Sequence, residues 1–430
     1  MRIFHGMMAL ALAGAALLAG CAGSGGGGGD GTKPVVLRVN IDPMARNLAL
    51  TESLAREFES RTSATVEIIR GPTDATERLS QYMQYLGARS ADIDIYQIDV
   101  IWPATLAEHM VDLADAFAGE RDEFFAPIME NNTVGGRLVC VPWYADAGML
   151  YYRHDLLEKH GLPLPETWDD LTTVAAAIQE RERAGGNADF WGFVWQGKAY
   201  EGLTCNALEW QKAEGGGTIV EPDGTVSVNN PATLRALARA AGWVGAISPP
   251  GVLTYQEDEA RNLFQSGNAA FMRNWPYAYA LGEAEGSAIR GRFGMAPLPG
   301  GPGGRASALG GWQLGVAKYS RNRDLAIEFV RLLTSADAQK RRALEAAMLP
   351  TRAALYDDPD LAGAMPFMPA MKAMFLEATP RPARQSGARY NQLSSTYFRA
   401  VHRVLSGQTD PATGLADLQK SLPALIGPGR

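Results

Sequence analysis

The side chains of this 430-residue chain that could do chemistry are few in kind. Its five histidines include no His-Glu-x-x-His pair, the helical arrangement a metalloprotease uses to hold zinc beside a general base. No Cys-x-x-Cys offers a zinc or redox site, and no Gly-x-Ser-x-Gly elbow presents a nucleophile. Residues 192–199 (GFVWQGKA) nearly reproduce a phosphate loop, but Ala199 stands where a metal-binding hydroxyl is required, and Phe193, Val194 and Trp195 suit a strand. Residues 301–306 (GPGGRA) loosely fit a dinucleotide pattern yet follow a proline, not a strand. A glycosidase needs two carboxylates facing across a cleft. With 47 acidic residues such pairs are inevitable, and they discriminate nothing.

What remains is binding chemistry. Asp99 is the penultimate residue of the run ADIDIYQIDV, Tyr144 and Asp146 lie in VPWYAD, Trp275 closes FMRNW, and Trp312 follows Gly310 and Gly311. Carboxylates take directed, charge-assisted hydrogen bonds from hydroxyls. A tryptophan beside glycines, where the backbone is bare, can offer a flat apolar face. Taken singly, Asp99 reads equally well as a turn cap, residues 141–146 as a surface turn, and either tryptophan as core.

The elements that must position these residues alternate. Val35–Val39 reads as a buried strand, Leu50, Leu54 and Phe58 as a helical stripe, and Thr65–Ile69 as a second strand. Leu79, Tyr82, Met83 and Leu86 form another helical stripe before a third strand ending near Val100. A β-α-β-α-β order implies a largely parallel sheet, with ligands beyond the carboxyl ends of the strands, where Asp99, Trp102 and Pro103 fall. A second block repeats the pattern. It holds a strand at 150–153, a helix opened by the Thr167/Asp170 capping box, a strand at 190–195, helices at 203–212, 231–247 and 258–265, and a strand at 269–272. A glycine loop at 300–304, a strand at 313–317, helices at 324–333 and 336–347 and a helical remainder follow. Two α/β blocks imply two similar lobes.

The first segment reads as an address. Arg2 precedes an apolar run, Met7–Leu18, too short to span a bilayer, for which about 20 residues are needed. Leu18-Ala19-Gly20-Cys21 resembles a bacterial lipobox, whose cysteine takes a diacylglyceryl group, and residues 24–31 (SGGGGGDG) read as a flexible tether. The body is expected at the periplasmic or cell surface, tied to a membrane through the lipid on Cys21. A net charge of −7 argues against a nucleic-acid surface. The remaining cysteines, Cys140 and Cys205, could pair, though two buried thiols are the favoured reading.

Residues 148–171 (GMLYYRHDLLEKHGLPLPETWDDL), 263–272 (LFQSGNAAFM) and 349–352 (LPTR) resemble the sugar-binding-protein family of ABC importers that includes maltose-binding proteins. Residues 92–103 (DIDIYQIDVIWP), 142–153 (PWYADAGMLYYR) and 272–279 (MRNWPYAY) are similar to its trehalose/maltose subgroup. The resemblance implies a type II periplasmic-binding-protein fold: two α/β lobes, each of discontinuous chain, joined by crossings near 141–148, 293–299 and 333–349. It implies a signal peptide at 1–20, a lipidated tether at 21–33, one lobe from 34–142 plus 297–335 and another from 143–296 plus 336–430. Carried over, Asp99, Tyr144 and Asp146 accept from sugar hydroxyls, Trp275 and Trp312 stack on sugar faces, the Gly311 backbone approaches the ligand, and Arg381 donates to hydroxyls. Glu257 and Arg78 complete the set. The implied protein is a monomeric receptor, without catalysis, metal or cofactor. It captures a disaccharide such as trehalose or maltose and delivers it to an ABC permease. A same-fold receptor for a non-sugar solute and a carbohydrate hydrolase are the rival readings.

Overall fold

The computed structural model describes residues 35–365 and 367–426. Cys21, the apolar leader and the glycine tether lie outside them. The strands are β1 (Val35–Ile41), β2 (Ala64–Arg70), β3 (Ile95–Asp99), β4 (Thr133–Val134), β5 (Arg137–Leu138), β6 (Val141–Ala147), β7 (Met149–Tyr152), β8 (Trp191–Val194), β9 (Ala269–Asn274), β10 (Gly294–Pro297) and β11 (Leu309–Val316). They form a five-stranded sheet in the order β2-β1-β3-β11-β6, a four-stranded sheet in the order β10-β7-β9-β8, and the small β4-β5 hairpin. The first sheet is mixed. β1 pairs in parallel with β2 and β3, as the alternating pattern predicts, but β11 runs antiparallel to both β3 and β6.

Each sheet anchors a lobe. In the first, Leu37, Val39 and Ile41 meet Leu50, Leu54 and Phe58 of helix Ala45–Arg61 in one apolar cluster. In the second, the stripe Leu171, Val174, Ala175 and Ile178 buries against Phe193 and Trp243. The helix ends are set locally. The Asp74 carboxylate accepts from the amides of Thr76 and Glu77, Thr167 and Asp170 complete their capping box, and Asn230 caps a helix with proline in its first turn. The third apolar cluster joins residues of both sheets, including Ala147, Met149 and Tyr151, with Phe293 and with Met368 and Phe375 of the C-terminal helices.

The first crossing falls in the expected stretch, but the lobe boundaries differ from those expected. All of β6 belongs to the first sheet, so residues 143–147, expected with the second lobe, pair there with β11. The chain passes to the second sheet at Gly148. The return lies between β10 and β11. Helix Ala336–Ala346, expected with the second lobe, instead buries Ala338 and Ala346 in the first lobe's cluster, beside Phe58 and Phe329. Its apolar face is complementary to helix Ala45–Arg61, which Arg342 reaches through Asn47 at 2.9 Å. The last passage comes later, where Thr379 bridges to Ala308 before helix Tyr390–Leu405 joins the second lobe's cluster. Cys140 and Cys205 are free, buried thiols. No helix among the described residues is long and apolar enough to cross a membrane.

Candidate functional site

Sheet register places the first three candidates in a row. Trp312 of β11 pairs on one side with Asp99, the last residue of β3, and on the other with Tyr144 of β6. One step back, Gly311 pairs with Ala145 and Gly310 with Asp146. Residues 141–146, open to a surface-turn reading in the sequence, are fully buried strand. The glycines are required. Gly311 has φ +118°, and a Cβ there would sit 2.7 Å from the Tyr144 carbonyl. A Cβ at Gly310 would sit 2.9 Å from the Trp275 ring and 3.1 Å from the Asp146 Cβ. Trp275, which follows the last residue of β9, thus reaches across from the second lobe to the bare backbone of the first.

All nine sequence candidates line one cavity of about 590 Å³: Arg78, Asp99, Tyr144, Asp146, Glu257, Trp275, Gly311, Trp312 and Arg381. Both tryptophan rings are half-buried there. Each is backed by a guanidinium: Arg78 stands 4.6 Å from the Trp312 ring centroid and Arg273 stands 4.0 Å from that of Trp275. Trp102 packs edge-on against Trp312 at 5.6 Å and lies behind it rather than in the cavity. The Trp275 indole donates to Glu257 Oε1 at 3.2 Å, and the Tyr200 hydroxyl donates to Glu257 Oε2 at 2.7 Å.

The arginines are largely committed within the protein. Arg78 donates to the carbonyls of Pro72 (2.8 Å) and Thr73 (3.3 Å) and to Asp42 (3.5 Å). Asp42 in turn accepts from Gln97, which also donates to the Tyr144 hydroxyl at 3.1 Å. Arg381 bridges two carboxylates, reaching Glu201 at 2.8 Å and Asp99 at 3.1 Å, and its Nε has no partner among the described residues. Glu201 also accepts from the Tyr390 hydroxyl and, at 2.6 Å, from Ser394. Burial pushes the Asp99 and Glu201 carboxyls up, while the guanidinium between them pulls both back. Asp146 is different. Its Oδ1 is buried without a partner among the described residues, and burial, then repulsion from Asp99 and Asp42, pushes its carboxyl well above the ordinary range.

Sequence reading missed Glu201, Tyr200 and Asp42. Glu201 and Tyr200 sit at the start of helix Glu201–Ala213, in a segment with no composition to distinguish it, and only the approach of Arg381 to the one and of Glu257 to the other marks them. Asp42 follows directly on β1, a strand-end position of the kind that singled out Asp99.

The arrangement presents flat apolar faces opposite carboxylates held in fixed directions. No histidine lines the cavity, and no group of three or more potential metal ligands occurs among the described residues. Residues 43–340 match the family model for bacterial extracellular solute-binding proteins. A Deinococcus radiodurans protein named "Probable ABC transporter-binding protein" is 46% identical over 92% of this chain and 94% of its own. The chain belongs to the bacterial extracellular solute-binding protein family. Among solved structures, this solute-binding protein is similar to maltose-bound MalE3 of T. maritima, with 39% identity, a TM-score of 0.86, and coverage of 91% and 100% of the two chains. The acarbose-binding GacH receptor of Streptomyces glaucescens is 25% identical with a TM-score of 0.81, covering 92% and 99%. The two-lobed, maltose-binding-protein-like architecture is thus that of the family.

Proposed function

We propose that this solute-binding protein captures a disaccharide, maltose or trehalose first, between its lobes and delivers it to an ABC permease, held to its membrane through a lipid on Cys21. The observation that carries the reading is the pairing of Trp275 and Trp312 with Asp99 and Asp146 around a cavity of about 590 Å³. Pyranose rings have apolar faces and hydroxyl rims, and this cavity offers aromatic faces and carboxylate acceptors. Tyr144 and the Gly311 backbone flank the same space. Arg381 takes part chiefly by fixing Asp99 and Glu201, and Arg78 by backing Trp312. The role is reception, not catalysis. The similarity to maltose-bound MalE3 supports maltose as the first ligand to try.

Calorimetric titration with maltose, trehalose, sucrose and glucose tests it. Tight binding of one disaccharide and weak or no binding of glucose is expected. Absence of heat and of thermal stabilisation with every sugar overturns the sugar assignment and directs the search to other solutes. Release of glucose with turnover overturns the receptor role.

A further inference from the structure

Behind the Trp275 ring lies a buried ion pair. Glu209, on helix Glu201–Ala213, and Arg273, on β9, have wholly buried side chains, and neither lines the cavity. Arg273 Nε donates to Glu209 Oε2 at 3.0 Å and Nη2 donates to Oε1 at 2.5 Å, a two-pronged grip. Nη1 reaches Gln196 Oε1 at 3.3 Å, and the Gln196 amide donates back to the Arg273 carbonyl at 2.9 Å. The other face of the guanidinium business is mechanical: its carbon stands 4.0 Å from the Trp275 ring centroid.

The same pair meets the segments that pass between the lobes. Glu209 Oε1 accepts from the amide of Ala308, just before β11, at 3.1 Å. Gly148, between β6 and β7, lies so close that a Cβ there would sit 2.1 Å from Glu209 Oε1 and 2.5 Å from Arg273 Nη2. Ser307 donates to the Gly148 carbonyl at 2.8 Å, and the Thr379 amide donates to the Ser307 carbonyl at 2.8 Å. Two crossings therefore meet this carboxylate and guanidinium directly, and the third joins them through Ser307.

Stability alone does not account for such a pair, because well-packed apolar residues in place of a buried ion pair are often as stable or more so. Its directed geometry does. We propose that Glu209 and Arg273 form a positioning unit that ties the seat of the Trp275 face to the three crossings, so that pressure of a ligand on that face is converted into closure of the lobes. The proposal rests on the reading of Trp275 as a ligand face.

The test uses the double substitution Glu209→Leu/Arg273→Met, which leaves no orphaned buried charge, and Arg273→Lys, which keeps the charge but loses the planar fork. Maltose is the probe. Small-angle scattering reads the radius of gyration with and without it, calorimetry the Kd, and thermal unfolding the integrity of the fold. The expected result is a folded double variant that binds maltose about tenfold more weakly and contracts incompletely at saturation. Trp275→Ala, which removes the face that passes on the pressure, should likewise contract incompletely at saturation, whereas Trp312→Ala, whose ring rests on Arg78 instead, weakens binding yet still contracts fully once saturated. A folded double variant that binds and contracts as the parent does overturns the proposal. If the double variant does not fold, Arg273→Lys carries the same comparison. If the parent itself ignores maltose, the sugar reading fails separately, and the unliganded radius of gyration decides: a change in the variant supports the positioning unit, and identity overturns it.

Discussion

Asp146 and Trp312 show how single residues make the site. Burial raises the Asp146 carboxyl from 3.8, and among its charged neighbours Asp99 and Asp42 repel its anion while Arg273 attracts it. The folded, unliganded protein therefore binds a proton that the unfolded chain gives up. The contribution of Asp146 to stability falls as pH rises from the unfolded value through the raised one. Asp146→Asn should flatten the decline in thermal stability as pH rises above the ordinary carboxylate range. Hydroxyls donating to Asp146 favour its anion, so maltose affinity should rise with pH across the titration in the parent and lose that dependence in Asp146→Asn. Titrations in a pH series check both. Trp312→Ala should weaken maltose binding by about 1–3 kcal/mol, the scale of removing a large apolar face, with the fold retained. Unchanged affinity would place the ring in the core rather than against a ligand. Trp312 was legible because it follows two glycines, and Asp146 because the motif around it resembles that of the family. Glu201 was not, since a glutamate opening a helix is ordinary and its meaning comes from Arg381, 180 positions away in the chain.

At the scale of elements, β11 decides the site. It inserts antiparallel between β3 and β6, and its register sets Asp99, Trp312 and Tyr144 side by side. A strand was expected at 313–317, but β11 starts at Leu309 because Gly310 and Gly311 continue the pairing with β6. A glycine pair reads locally as a break, and only a partner strand turns it into ladder. Gly311→Ala should cost about 1–3 kcal/mol of stability from its positive φ, before any contact with the Tyr144 carbonyl is counted. Thermal unfolding checks it. The parallel β1-β2-β3 unit and the Thr167/Asp170 cap were legible because they rest on short-range periodicity and on a side chain three residues from its partner. The attachment of helix Ala336–Ala346 to the first lobe was not, because its buried stripe fits any apolar face and the choice of helix Ala45–Arg61 is tertiary.

Across the whole molecule, the lobes meet at the mouth of the cavity as well as at the crossings. Asp74 of the first lobe accepts from Gln256 at 2.8 Å, and Lys198 approaches it at 3.6 Å. Lys198→Ala removes a half-exposed ion pair and should weaken closure, and with it maltose affinity, by about 0.2–1 kcal/mol, less at high salt. Titration at two ionic strengths checks it. The chain's own residues determined the alternating α/β blocks, the absence of familiar catalytic motifs and the first binding candidates, because each depends on residue type or on spacing within one element, while Arg78, Glu257, Gly311 and Arg381 came only from the resemblance of its motifs to the family. Only the tertiary structure decided where the chain passes between the sheets, that Arg381 is held between Asp99 and Glu201, and that Gly148 and Ala308 meet Glu209 behind Trp275. Those contacts join residues far apart in the chain, and nothing local in a sequence says which distant charge a buried charge will meet.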